Sequence, residues 1–371
     1  MRMEAGHASA LRPGAQALSS DTEGSPTSRD VEQRHAGALR QTGHMLPSLP
    51  DMLSSARVVT LPLRQRFRGI ESREVMLFEG PAGWTEFSPF LEYGDAEASA
   101  WLAAAIDFGW HQAPALFRSQ IRVNATLPAV APDAVRDILD RFPGCRTVKV
   151  KVAEPGQQLA DDVARVVAVR QYLGPEGRIR LDANGGWNVD EAEHAIRALA
   201  PSDLEYVEQP CATVDELADI RTRVKYMGLP IAADESVRKA KDPLEVAKAK
   251  AADLLVIKAQ PLGGIRAALR IVDASRMPVV VSSALETSVG ISMGAHLAAA
   301  IPELAYDCGL ATVSLLSSDI AADSLVAERG LVDVRRVTPD AALLDRFSAD
   351  ADRVEWWTAR LERCLVLLST P

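Results

Sequence analysis

Two regimes of apolar patterning divide this chain. Over 56–79 the short extended runs ARVVTLPL and REVMLFEG are broken at Gly80, Pro81 and Gly83, a pattern that predicts a small antiparallel sheet. From Asp95 to Trp110 the apolar residues recur at helical spacing. From residue 121 onward a different rhythm sets in, with apolar runs alternating with helical segments. The runs are IRVNATL (121–127), TVKVKV (147–152), RIRLD (178–182), LEYVEQ (204–209), LPIAADE (229–235), ADLLVIK (252–258), MPVVVSS (277–283) and ELAYDCG (303–309). Among the segments between them, LADDVARVVAVRQYLG closes on Gly174 as a C-cap. VDEAEHAIRALA opens with an acidic turn that suits the helix dipole, and the stretches 242–250 and 264–274 have the same helical character. Eight strand-like runs alternating with helices predict an α/β fold, a β/α barrel preceded by an α+β module. Near the end, WWTARLERCLVLL reads as an amphipathic helix that returns to the N-terminal module or the barrel exterior.

The charges fall at the tails of the runs. Asp182, Glu208 and Asp234 each end one, spaced 26 residues apart (182 to 208 to 234), and Lys258 ends another 24 residues on. Strand ends of a β/α barrel meet at its C-terminal mouth, so these side chains are expected to share one cup. A single acid at a strand end is unremarkable as a solvated residue or a helix cap. Three in phase supply oxygen ligands for a hard divalent cation and leave an open side for a substrate carboxylate. Lys149 and Lys151 are two apart and share one face of their strand. An inward lysine near a cation has its ammonium form disfavoured, which prepares it for acid–base work. One lysine of that pair and Lys258 across the cup could then bracket a substrate carbon from both faces. Asn184 is a further polar contact near the acids. Glu235 is expected to point away and hold a neighbouring lysine. Gly263 and Gly264 offer backbone N–H groups at a helix start, an anion-binding arrangement. Ser282 and Ser283, closing the seventh run, are candidate donors to a carboxylate.

Composition narrows the function classes. Among 371 residues the net charge is −9 with no sizeable basic block, which argues against a nucleic-acid partner. No apolar run of 18 or more predicts a membrane span. The cysteines, Cys145, Cys211, Cys308 and Cys364, form no CxxC pair and read as reduced cytoplasmic thiols. Three of six histidines (His7, His35, His44) lie in the first 44 residues, so a histidine-rich metal site is not expected. That stretch reads as a disordered extension, with Met45 and Met52 as alternative starts. The expected division is 1–44 extension, 45–118 capping domain, 119–317 barrel and 318–371 returning segment.

Taken together, KVKVAEPG, RIRLDANGGW, YVEQP, IAADES, VIKAQPLGG and VVVSSALETSVG resemble the enolase superfamily in its muconate-lactonizing subgroup. RFRGIESRE and EGPAGWTEF in the N-terminal module carry the same likeness. Within the subgroup the chain is most similar to the actinobacterial o-succinylbenzoate synthase family, from about residue 45 to near the C-terminus. The resemblance implies a modified (β/α)7β TIM-like barrel with a capping domain built from both chain ends. It implies Mg²⁺, with Mn²⁺ as substitute, held by Asp182, Glu208 and Asp234. Lys151 would be the base and then the acid, and Lys258 would stabilise an enediolate from the opposite face. The implied reaction is dehydration of 2-succinyl-6-hydroxy-2,4-cyclohexadiene-1-carboxylate, a small-molecule carboxylate, to 2-succinylbenzoate in menaquinone biosynthesis. No surface stripe in the sequence marks a defined interface, so a monomer is expected, and the thiols point to the cytoplasm. N-succinylamino acid racemases and dipeptide epimerases of the subgroup are the alternative. In the racemase branch an arginine typically follows the sixth-strand lysine by three, and here that position is Pro261.

Overall fold

The computed structural model describes residues 46–239 and 242–369, so the expected extension over 1–44 and the start at Met45 lie outside the described residues. Strands β1 (Arg57–Phe67), β2 (Ile70–Gly80) and β3 (Gly83–Phe87) form an antiparallel sheet in chain order. Phe67 pairs with Ile70, and the two residues between them, Arg68 and Gly69, both have positive φ (53° and 79°). That is the backbone of a tight two-residue hairpin whose twist matches its strands, and its tip carries Phe67 and Arg68 over the barrel mouth. The helix Asp95–Trp110 is buried almost all round, from Ala98 to Gly109 apart from the half-buried Ser99 and Ala100. A helix apolar on every side belongs between layers, and this one packs on β3, on the helix Ile265–Ser275 and on the C-terminal helix Ala351–Ser369. The C-terminal helix thus returns to the N-terminal module. Its Trp357 lies edge-on to Phe87 at 5.7 Å and donates to Glu74 Oε2 at 2.8 Å.

After β4 (Gln120–Arg122), strands β5 (Ala125–Leu127), β6 (Thr147–Lys151), β7 (Arg178–Asp182), β8 (Leu204–Glu208), β9 (Ile231–Ala233), β10 (Leu254–Ile257) and β11 (Val279–Val281) form one parallel sheet in sequence order. A parallel sheet covered on both faces needs apolar runs without alternation, as LLVI and VVV supply. Two expectations change. IRVNATL is not one strand, because Asn124 interrupts it. The Asn124 amide donates to the Ala125 carbonyl and its oxygen accepts from Arg180. The first half, β4, leaves the barrel and pairs antiparallel with β12 (Leu331–Asp333). ELAYDCG is not a strand either. Only Cys308 and Gly309 reach between Val123 and Ser282, through single parallel bridges. Those bridges bring the ends of the curled sheet together, with Asn124 N–H donating to Cys308 O and Gly309 N–H to Val281 O, both at 2.9 Å. The fold is a modified TIM barrel with a capping domain.

Candidate active site

Strand register assembles the centre. Lys151 pairs with Asp182, and Asp182 with Glu208, across three neighbouring strands. Each of those strands is followed within two residues by a non-glycine residue in the left-handed region: Ala153 (φ 59°), Asn184 (φ 47°) and Gln209 (φ 41°). Such positions cost about 1–3 kcal/mol each and cluster where a backbone must turn sharply at a working surface.

The three acids are buried, with Asp182 at 1% and Glu208 and Asp234 at 0% exposure. Lys149 Nζ lies 2.8 Å from Glu208 Oε1 and 3.0 Å from Asp182 Oδ2. Lys151 Nζ donates to Asp182 Oδ2 and to Asn184 Oδ1, both at 2.6 Å, and stands 5.6 Å from the Phe67 ring of the capping hairpin. Lys258 Nζ donates to Asp234 Oδ2 at 2.5 Å, while Arg238 Nε grips the other oxygen of Asp234 at 3.1 Å. Lys151 and Lys258 line one cavity, together with Phe67, Arg68 and Phe90 from the cap and with Asp182 and Asn184.

Electrostatics differ among the acids. Burial pushes Asp182 up, but Lys149 and Lys151 overcome it and hold the carboxyl below its usual range. Burial likewise opposes Asp234, and Lys258 and Arg238 hold it low. Glu208 is pushed up to about 7 by burial and then by the charge of Asp182. Lys149, although buried, is held charged by Asp182 and Glu208. The Lys149–Glu208 contact is thus pulled two ways. The charged lysine is the firmer side of it, since two carboxylate oxygens lie within 3.0 Å. Burial draws Lys258 down from its ordinary range.

As the side chains stand, no three His, Cys, Asp or Glu residues among the described residues form a group arranged around one metal position. Each acid instead has an ammonium against it. One oxygen is left over, since Glu208 Oε2 is buried without a hydrogen-bond partner. An orphaned carboxylate oxygen beside two further buried carboxylates is an anionic donor set short of positive charge.

The other expected residues divide. Asn184, Ser282 and Ser283 line the cavity. The Ser283 hydroxyl is shared with Gly309 O and Thr312 Oγ1. Gly263 and Gly264 do not join them: their N–H groups donate to Gln260 O and Ala259 O, and a Cβ on Gly264 would lie 2.8 Å from Asp107 Oδ2 of the capping helix. Glu235 faces the cavity rather than away, and its partners are Arg238 and Asn184, not a lysine. The short helix Glu235–Arg238 starts immediately after Asp234 and turns Glu235 inward. Sequence reasoning missed Arg238, Phe90, Thr126 and Thr312 in the lining, and also Gln209. The fully buried Gln209 amide accepts from the N–H groups of Asp234 and Ser236 and donates to Cys211 O and Ser236 Oγ. The four-residue step from Asp234 to Arg238 was the one legible signal for an ion pair there.

Over residues 133–340 the chain matches the family model described as Enolase C-terminal domain-like, and over 58–109 the one described as Enolase N-terminal domain-like. It is 52% identical over 322 residues to the o-succinylbenzoate synthase of Mycobacterium ulcerans (strain Agy99), covering 86% of this chain and 96% of that protein. With the o-succinylbenzoate synthase of Mycobacterium tuberculosis (strain ATCC 25618 / H37Rv) it shares 53% over 325 residues, 87% of this chain and 98% of that one. Among solved structures, the L-Ala-D/L-Glu epimerase from Bacillus subtilis superposes with TM-score 0.65 at 25% identity, over 77% of this chain and 96% of that chain. The muconate lactonizing enzyme from Pseudomonas putida does so with TM-score 0.65 at 20% identity, over 80% and 98%, a likeness of fold.

Proposed function

This chain belongs to the o-succinylbenzoate synthases of the enolase superfamily, and from that membership we propose that it dehydrates 2-succinyl-6-hydroxy-2,4-cyclohexadiene-1-carboxylate to 2-succinylbenzoate, a step of menaquinone biosynthesis. The observation that supports the reading is the meeting of two lysines from separate strand ends, Lys151 and Lys258, at one cavity with Asp182 in its lining, while the buried Glu208 and Asp234 lie against Lys149 and Lys258 of that lining.

Asp182, Glu208 and Asp234 would hold Mg²⁺, or Mn²⁺ in its place. Their oxygens suit a hard cation, and the unpartnered Oε2 of Glu208 supports the fit. When bound, the ion supplies positive charge to substrate carboxylate oxygens, worth several kcal/mol as charge builds on them. The residues do the rest. Lys151, on the cavity wall, takes the proton α to the carboxylate. It then returns that proton to the departing hydroxyl, which leaves as water. One amine serving both steps removes H and OH from the same face, a syn elimination. Asn184, 2.6 Å from the Lys151 amine, holds it in place. Lys258, facing it, lends its charge to the developing dianion, an electrostatic contribution matched to the transition state. Loss of water yields an aromatic ring, so the chemical step runs downhill. Phe67, Phe90 and Leu285 offer apolar walls for that ring.

The division into a capping domain over 45–118, a barrel over 119–317 and a returning segment over 318–371 belongs to this reading. So does a monomeric cytoplasmic enzyme with a small carboxylate as its only partner. The four free cysteines suit a reducing compartment, and the net charge of −9 argues against a nucleic-acid partner. Among the described residues no helix is long and apolar enough to cross a membrane.

Lys151→Ala tests the assignment. Turnover is expected to fall about 10²–10⁴-fold or more, the range of a lost general acid–base, with the circular dichroism spectrum and Mg²⁺ binding kept. Wild-type turnover in that variant would remove Lys151 from the mechanism. Deuterium exchange at Cα of N-succinyl amino acids in D₂O, without dehydration of the cyclohexadiene, would move the chain to the racemase alternative.

A further inference from the structure

Two successive barrel helices begin against a carboxylate that belongs to the cap. The helix Ile265–Ser275 follows the strand that leads to Lys258, and Asp107 of the capping helix sits at its start, accepting from Arg266 N–H at 3.5 Å and from its guanidinium at 2.5 Å. The helix Ser288–Ala300 follows the strand that leads to Ser282 and Ser283. Glu86 of β3 sits at its start: Glu86 Oε2 accepts from Thr287 N–H (3.1 Å), Thr287 Oγ1 (2.5 Å) and Gly290 N–H (3.1 Å). Its other oxygen accepts from Ser88 Oγ at 2.6 Å. At both places a glycine makes room. A Cβ on Gly264 would lie 2.8 Å from Asp107 Oδ2, and one on Gly290 would lie 2.9 Å from the Glu86 carboxyl carbon. Exposed backbone N–H groups and the positive end of the helix dipole both favour a carboxylate there.

The seam continues inward. Arg73, 2% exposed, donates from Nε to Leu285 O at 3.2 Å and from its guanidinium to Ser88 O. Leu285 holds φ 64°, and Glu286 beside it accepts from Ala284 N–H at 2.5 Å. Gln260, two residues past Lys258, exchanges hydrogen bonds with Ser88. The cap therefore grips the turn that follows Lys258 and the loop after the next strand, whose Ser282, Ser283, Ala284 and Leu285 line the cavity.

We infer that Glu86 and Asp107 are positioning residues: the cap docks its carboxylates onto the two helix starts, so that Glu86 sets the cavity-lining loop 282–287 and Asp107 sets the turn 259–264 that anchors Lys258. This rests on the dehydratase reading only for what the loops contact, not for the docking. Glu86→Gln removes the charge: an amide oxygen in the place of Oε2 can still accept from Thr287 and Gly290, but those bonds are no longer charge-assisted. Amide hydrogen exchange over 282–290 is expected to quicken about tenfold, and KM for the cyclohexadiene to rise about tenfold, as for one lost charge-assisted bond. Mg²⁺ affinity and kcat should stay within about twofold. Asp107→Asn should quicken exchange over 259–267 instead. If Glu86→Gln does not fold, Ser88→Ala, which removes one donor to Glu86, is expected to show the same pattern in smaller degree. Unchanged KM with a uniformly lowered melting temperature would overturn the inference. Localised exchange in a protein that proves to have no dehydratase activity would sink the functional reading and leave the docking standing.

Discussion

Asp234 has its oxygens divided between Lys258 at 2.5 Å and Arg238 at 3.1 Å. Removing the lysine therefore leaves the buried acid a partner, and the fold should survive. Lys258→Ala is expected to keep the wild-type circular dichroism spectrum and lose about 10²–10³-fold in kcat, the scale of one electrostatic stabiliser removed. A kcat near wild type would show that its charge does not face the reacting carbon. At this scale the sequence was readable where side chains follow strand register. Asp182, Glu208 and Lys151 are register neighbours, so even spacing along the chain became proximity in space. It was unreadable where partners come from far along the chain. Gly264 looked like an anion site because the anion, Asp107, lies on the capping helix and no local pattern joins the two. Gln209 was passed over as part of an apolar run's edge, since nothing local tells that its amide ties two strand ends together.

Among the elements, the strand that carries Glu86 joins cap to barrel through a buried acid. Burial, and then Glu286, pushes Glu86 up from 4.5 to about 7, while Ser88, Thr287 and Arg73 pull the other way. A carboxyl whose folded pKa exceeds its unfolded one binds more protons when folded. Its stabilising contribution is full below about pH 4.5 and is lost as the pH rises through about 7. The stability of the wild type minus that of Glu86→Gln should thus fall between pH 4.5 and 7, read from urea melts at each pH; the metal-site acids are common to both proteins and cancel. A difference independent of pH would contradict it. Element types were mostly legible, because LLVI or LADDVARVVAVRQYL carries one period throughout. Boundaries were lost where one polar residue redirects the chain, as Asn124 does, or where closure needs two residues rather than a ladder, as at Cys308 and Gly309.

For the whole molecule, the last helix holds the cap on. Trp357 is fully buried, edge-on to Phe87 and bonded to Glu74. Trp357→Ala should cost about 3–5 kcal/mol, as for other fully buried aromatics, in urea unfolding. A loss below about 1 kcal/mol would mean that the helix merely rests on the cap. The division of labour was visible in outline from the sequence, as extended runs, then a strand–helix alternation, then an amphipathic end. The packing of Trp357 on β2 and β3 was not, because it spans nearly the whole chain. The central claim is that Lys151 and Lys258, meeting at one cavity beside the buried Asp182, Glu208 and Asp234, make a metal-dependent dehydratase. The measurement that meets it head-on is formation of 2-succinylbenzoate from the cyclohexadiene by the purified protein, before and after EDTA. The account predicts steady product, its loss on chelation, and recovery with added Mg²⁺ or Mn²⁺. Absence of product, or a rate indifferent to the chelator, would contradict it.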